Sequence, residues 1–319
     1  MRGRWCVAGA LVVLGLGFAW SAHGDCGSIP FRSPLDMVGD FVFTLGTDGK
    51  TDVAFDPLEV VVFEPGQRAI ILWNGEEEIL LLSTEIKTSV PVSLLEVIPL
   101  PSEPTAKLGN FDTFLKMQRL LIDKAMWRVA SGGGVAGVGI PAKAAEITFH
   151  EQMGAHDVAV VHVLDQTGFL RWVDEFMASK KALNPKVDPG FAQIIQNYLD
   201  RGTNWFVFDT IQAGGEVQSR QPIEYRFKTD RLYYPLEIST RETGKTRIDL
   251  LLVTPKPLVE FPSLRFAVKT ENDVVVSAAE LGDAAPPDWT AFMGNAPCTL
   301  KRVYIKGNIR KMSADFIAR

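Results

Sequence analysis

The tightest constraint on this chain is local. Arg68-Ala69-Ile70-Ile71-Leu72-Trp73 and Glu77-Glu78-Ile79-Leu80-Leu81-Leu82-Ser83 flank Asn74-Gly75. Asn-Gly suits a type I′ turn, whose two central residues both take positive φ, so the runs are expected to pair as a hairpin. Their apolar residues are continuous rather than alternating, which suggests burial on both faces. Glu76-Glu77-Glu78 follows the turn and reads as a solvated loop tip.

Strand signals recur on both sides of this hairpin. Val38, Phe41 and Phe43 fall in a strand-like stretch with a turn at Asp48-Gly49, and Leu58 to Phe63 is a strand-like run ended by Pro65-Gly66. Val92 to Ile98 is bounded by Pro91 and by the Pro99-to-Pro104 cluster, which forbids helix and favours an edge strand or crossover. Asp112 is the expected cap of a helix reaching about Ala130, with apolar positions Phe114, Leu115, Leu121, Ile122, Ala125, Met126 and Val129 at helical spacing, one stripe running from Leu115 onward. Ser131-Gly132-Gly133-Gly134 stops it, and the Gly-rich segment 131–155 reads as a connector.

Beyond the connector, residues 156–164 read as a strand. A helix capped by Asp165 or Thr167 follows, then a second opened by Asp188-Pro189 and closed by Gly202, then a strand from Asn204 to Ile211. This is a β-α-α-β unit. Further strands are expected at 222–228, 232–239, 247–254, 264–268 and 274–278, with a loop at Ala284-Ala285-Pro286-Pro287 and a basic C-terminal segment carrying Lys301, Arg302, Lys306, Arg310 and Lys311. The fold class is α+β, rich in antiparallel sheet. The expected divisions are a leader at 1–24, a β-rich part with a terminal helix at 25–130, the connector at 131–155, and the β-α-α-β unit continuing into antiparallel strands at 156–319.

Arg2 and Arg4 precede an uncharged apolar run from Trp5 to Ala22, and Ala22-His23-Gly24 places small residues where a secretory cleavage site needs them. Residues 1–24 read as a signal peptide and Asp25 as the mature start. The other reading is a retained anchor, for which the run of 18 residues is marginal. Asp25 before Cys26 argues against lipidation. Cleavage removes Arg2, Arg4 and Cys6, changing the formal charge from −5 to −7 over 295 residues. Cys26 and Cys298 then form a possible disulfide, the alternative being two separate thiols. With 33 basic against 38 acidic residues, the balance argues against a nucleic-acid partner.

Catalytic signatures are weak. Gly132 to Gly137 spells G-x-G-x-x-G but follows a helix instead of a strand, so it reads as linker and no cofactor is expected. His156 and His162 share a strand face but lie about 20 Å apart, too far to hold one metal ion, and no metal site is expected with His150 either. No G-x-S-x-G occurs, and Cys26 has no neighbouring histidine in sequence. Paired-carboxylate catalysis stays open, because such pairing is a three-dimensional fact. Trp172, Tyr198, Trp205, Tyr233 and Tyr234 gather in the middle of the chain, either as core or as an aromatic ligand platform.

Several short motifs occur in a fixed order: Cys26-Gly27 after the leader; Gly66-Gln67-Arg68-Ala69-Ile70-Ile71 with Asn74-Gly75 and Glu77; Pro99 to Ser102; Leu170-x-Trp172; Asn197-Tyr198 and Gly202 leading to Trp205-Phe206-Val207; Gln221 to Phe227; Tyr234-Pro235-Leu236; Thr299-Leu300-x-Arg302; and Met312-x-x-Asp315. In this the chain resembles the bacterial secreted family catalogued as domain of unknown function 2330. The long helix after the Pro block and Cys298 before Thr-Leu depart from the pattern. The resemblance implies an exported bacterial protein, periplasmic or extracellular, and supplies no catalytic residues. The expected function is a non-catalytic binding or structural module of the envelope, with a protein or glycan partner. A carboxylate-dependent envelope hydrolase is the alternative.

Overall fold

Strands that are apolar on both sides need cover on both sides. The computed structural model provides it with four layers, and describes residues 27–32, 57–130, 157–219, 221–242, 244–262 and 268–319. The leader, Cys26, the strand-like stretch 38–56, the connector, His150, His156 and most of the expected strand at 264–268 lie outside the described residues.

In chain order the elements are β1 (Gly27–Phe31), β2 (Val62–Trp73), β3 (Glu77–Thr88), β4 (Val92–Leu100), β5 (Thr105–Leu108), α1 (Phe111–Ala130), β6 (Asp157–His162), α2 (Gln166–Ser179), α3 (Pro189–Asp200), β7 (Trp205–Ala213), β8 (Gln218–Ser219), β9 (Ile223–Lys228), β10 (Leu232–Tyr234), β11 (Lys245–Thr254), β12 (Val268–Thr270), β13 (Val274–Val276), α4 (Ala278–Ala284), α5 (Pro287–Phe292), β14 (Cys298–Asn308) and β15 (Phe316–Ala318). The larger sheet runs β12-β14-β11-β2-β3-β9-β5, with β13 also on β14 and β8 also on β3. The smaller sheet runs β1-β4-β7-β6, and β10 pairs with β15. Among the described strands, pairing is antiparallel except between β2 and β11. The protein is thus α+β and antiparallel-rich, and both larger sheets mix strands from before and after residues 131–155.

Alternation along the strands assigns each side chain to a layer. Ile71, Leu80, Leu250 and Ile305 of the large sheet meet Ile98 and Val207 of the small one, forming the core between the sheets. Ile70, Leu72, Leu81 and Val253 point the other way, under α1, α4 and α5. On the far side of the small sheet, Leu95, Val97, Phe206 and Phe208 lie under α2 and α3. Burying so many large side chains stabilises each contact by about 1.5–3 kcal/mol per residue.

The hairpin closes differently from the expected turn. Trp73 pairs with Glu78, leaving four residues between them. Among these Gly75 takes positive φ (+106°), whereas Asn74 does not. Asn74 works through its side chain instead: Oδ1 accepts from Glu76 N (3.0 Å) and Glu77 N (2.9 Å), bending the chain as an Asx turn. Nor is the acidic triplet a solvated tip. Only Glu76 is exposed; Glu77 pairs with Arg226 at 2.5 Å and Glu78 is fully buried.

Other boundaries also move. Pro65-Gly66 does not end a strand, because β2 passes through it with a register shift against β3 between Phe63 and Gly66. Before it, Pro57–Glu59 is a short 3-10 turn. β4 is internal rather than an edge: among the described residues β1 pairs with it from Ser93 to Val97, and Pro99 lies opposite Phe206 of β7. Asp112 is inside α1, and Asn110 Oδ1 accepts its N–H at 2.8 Å. The buried stripe of α1 is Phe114, Met117 and Leu121, while Leu115 is exposed. β10 ends at Tyr234, before Pro235, and Glu237–Arg241 winds into a 3-10 turn instead of extending the strand. α4 and α5 replace the expected end of the strand at Ala278 and part of the expected loop at 284–287; Ser277 and Glu280 form a full capping box on α4. The order β6-α2-α3-β7 covers 157–213, with Asp165 and Asp188 as the two helix caps and Gly202 at φ +81° just past the second helix.

Candidate functional site

The five aromatics are distributed by the fold. Trp172 stacks on Phe176 (5.2 Å between centroids) and leans on Phe208 (4.1 Å), and Trp205 stacks on His162 (4.5 Å). Tyr198, Tyr233 and Tyr234 are buried, and the hydroxyl of Tyr234 donates to Gln67 Oε1. Only Tyr198 and Tyr233 come together, and what joins them is Asp315. Asp315 Oδ1 accepts from Tyr198 OH (2.6 Å), Leu236 N (2.8 Å) and Glu237 N (3.0 Å), and Oδ2 accepts from Tyr233 OH (3.1 Å). Tyr198 OH in turn accepts from Ile238 N at 3.0 Å. Arg201 lies over the Tyr198 ring at 4.7 Å and binds Glu237 at 2.7 Å.

This junction ties α3, the turn after β10 and the approach to β15 into one buried network. Burial raises the hydroxyl pKa of both tyrosines, and the nearby Asp315 carboxylate adds to the effect. They therefore remain donors at any ordinary pH. Glu78 lies on the same side, its Oε2 accepting from Tyr233 N at 2.8 Å, and burial holds its carboxyl well above the usual range. Four donors on one carboxylate satisfy its hydrogen-bonding capacity, so the arrangement serves cohesion more than chemistry.

Two carboxylates face each other across β4 and β7. Glu96 on β4 pairs directly with Asp209 on β7, which puts their Cβ atoms about 4.5–5.5 Å apart on one face. Both are buried between the sheets, at 5% and 1% exposure. A hydrolytic pair must be reached by its substrate and a water, and these two are enclosed. A third polar cluster sits under α5, where Glu224 accepts from the Trp289 indole N–H (3.1 Å) and pairs with Lys107 (2.9 Å), which also reaches Asp288. Cys298 is buried opposite Val276, and burial raises its thiol pKa to about 11. Cys26 lies outside the described residues, as do His150 and His156. Among the described residues no group of three or more His, Cys, Asp or Glu could hold a metal ion, and no helix is long and apolar enough to cross a membrane.

The accessible site is on the large sheet. Its outer face carries Ile70, Leu72, Leu81, Leu251 and Val253 at one end, beneath the helices. At the other end the same alternation presents Arg68, Asp249, Arg302 and Tyr304, with register pairs Arg68–Asp249 and Asp249–Tyr304. Arg302 grips Asp249 through two bonds, Nε to Oδ1 (2.8 Å) and Nη2 to Oδ2 (2.5 Å), and Arg68 holds Glu85 at 2.5 Å. Tyr304 is the centrepiece: Arg302 (4.5 Å), Arg247 (5.3 Å) and Lys306 (5.8 Å) lie over its ring, and its hydroxyl donates to Glu271 (2.9 Å). Sequence reasoning missed this site. The basic C-terminal segment was its only visible trace, and a β-strand puts alternate members of such a segment on opposite sides.

No curated protein matches the chain. Among solved structures, the crystal structure of baculovirus P35 is similar at 9% identity and a TM-score of 0.38, over 69% of this chain and 76% of that one. A family described as uncharacterized protein conserved in bacteria matches residues 56–256, a span from the 3-10 turn before β2 to just past β11. With that match across most of its length, the chain belongs to this bacterial family, domain of unknown function 2330.

Proposed function

We propose that the protein is an exported component of the bacterial envelope that works as a non-catalytic binding module, with the open end of the large sheet as its recognition surface. One observation carries this reading: one face of one sheet is divided into a helix-covered apolar end and an accessible end of ordered charged side chains around Tyr304. Export is supported by the charged start, the apolar run and Ala22-His23-Gly24. The non-catalytic reading is favoured over the hydrolase because the facing carboxylates, Glu96 and Asp209, are enclosed, and Asp315 is committed to holding three segments together.

The test has two arms. The protein recovered from the envelope of an expressing cell should begin at or near Asp25; recovery with Met1 intact refutes export by cleavage. The triple variant Arg247→Glu, Lys269→Glu, Lys306→Glu should keep its fold and lose association with a washed envelope fraction, and retained association refutes the assigned surface.

A further inference from the structure

We infer that the open end of the large sheet binds a linear polysaccharide carrying carboxylates. This deepens, and rests on, the reading of the protein as a binding module.

The first ground is charge. Strand alternation and register put Arg68 of β2, Lys245 and Arg247 of β11, Arg302 and Lys306 of β14, and Lys269 of β12 on this side of the sheet. Lys87 of β3 lies on the same side, and against these seven cations stand three carboxylates, Glu85, Asp249 and Glu271, a net charge of +4 among the described residues. The whole chain is formally −5, so cations are concentrated here against the overall balance. Such a concentration attracts polyanions and holds them at low salt.

The second ground is geometry. Side chains on one strand face recur about every 7 Å, and neighbouring strands lie about 5 Å apart, so the cations form a flat grid. Tyr304 gives that grid rigidity, because three of the cations rest over its ring and pay less ordering entropy on binding. Arg247 has a side chain 54% exposed and, besides its place over Tyr304, reaches Asp249 at only 3.7 Å.

The third ground is selectivity. The face already binds carboxylates of its own, Asp249 by the two-bond grip of Arg302 and Glu85 by Arg68, which are intramolecular stand-ins for the same group on a ligand. Protein partners need an apolar centre in the interface. Among the described residues at the open positions of β2, β3, β11 and β14, all are charged or polar apart from Gly66, and none has an aliphatic side chain. A chain of sugar carboxylates asks for no apolar pocket and can lie along the rows.

The test uses purified protein and four polymers in calorimetric titration: polygalacturonate as probe, dextran as the neutral control, and polyglutamate and polyphosphate as other anion sources. Polygalacturonate should bind, dextran should not, and raising salt from low to about 0.5 M should weaken binding at least tenfold. Arg247→Glu, Lys269→Glu, Lys306→Glu should also weaken it tenfold or more. Arg171→Glu, Lys180→Glu, Lys181→Glu, which changes charge equally but around α2 on the far side of the small sheet, should leave it within about twofold. If the first triple variant fails to fold, Arg247→Gln alone should still weaken binding several-fold. No binding to polygalacturonate, equal loss in both triple variants, or tighter binding to polyglutamate or polyphosphate overturns the inference. If envelope association is lost in the first triple variant while polygalacturonate does not bind, the ligand assignment falls and the binding-module reading stands.

Discussion

The covered and open ends of the large sheet are built from the same strands. Along β2, Ile70 and Leu72 lie beneath helices, and Arg68, two residues earlier on the same side, pairs with Glu85 in partial contact with water. Along β11, Val253 is fully buried and Arg247 is half-exposed. The backbone is alike at both ends, and so is the alternation. What differs is whether a helix lies above. Where α5 closes over the sheet, Trp289 is wholly buried and even its indole N–H finds a partner in Glu224. Where no described element packs over it, the side chains must be soluble, and order comes from ion pairs and one aromatic ring. A sheet face is therefore not one environment, and its apolar fraction maps the cover above it.

Substitutions at each end should differ in cost accordingly. Trp289→Ala should have the largest effect, about 3–5 kcal/mol in denaturant unfolding, because it opens a cavity under α5 and strips Glu224 of a donor. A loss under about 1 kcal/mol would mean that the covered end is loosely packed. Asp315→Asn, in the junction that neither end contains, should cost about 2–3 kcal/mol, since a neutral amide replaces a carboxylate facing four donors. Unchanged stability would show that the tyrosines hold their places by packing alone.

Glu242 gives a comparison through pH. Burial pushes its carboxyl up to about 8 from the ordinary 4.5, against the pull of the Ser28 backbone N–H, Arg241 and Arg310, with Asp188 adding to the rise. The folded chain therefore keeps a proton that the unfolded chain releases at lower pH. Stability from this group is complete below about pH 4.5, falls as pH rises, and is lost by about pH 8. The effect should be on the order of a few kcal/mol, read as a decline in unfolding midpoint that Glu242→Gln flattens. Glu78 is shifted in the same direction by burial and would leave part of the slope in place. A midpoint that rises over this interval contradicts the assignment.

At the open end the numbers shrink. Arg302→Met should cost about 1–2 kcal/mol, because Asp249 loses its two-bond partner at a largely buried site. Arg247→Gln should change stability by less than about 0.5 kcal/mol while weakening ligand binding. A larger loss from Arg247→Gln than from Arg302→Met would reverse the picture of which residue anchors the patch and which reaches out from it.

Much of the fold could be read from local chemistry. The Asn74-Gly75 hairpin, the Asp165 and Asp188 caps and the Gly202 stop all depend on residues within a few positions of one another, and each formed at its expected place. The failures share a cause. Asn-Gly fits a turn with two positive φ values, but Asn74 satisfies the backbone by its side chain and has no need of positive φ. The helices α4 and α5 are 7 and 6 residues long, too short to show apolar periodicity, yet the capping box at Ser277 and Glu280 was legible. Glu78 looked solvated because it follows two glutamates, but β3 turns it inward towards Tyr233 N.

By itself, the sequence determined the strand-rich class, the alternation that sends residues to opposite faces, and the family motifs in their order. It did so because these depend on backbone dihedrals and on spacings of one to four residues. Tertiary structure alone decided that Tyr198, Tyr233 and Asp315, separated by up to 117 residues, share one set of hydrogen bonds. It alone decided that Glu96 meets Asp209 in the interior, and that the basic C-terminal strand joins Arg68 and Arg247 on one accessible face. Long-range pairing is set by how whole layers bury their apolar sides, and no short window of residues contains that information.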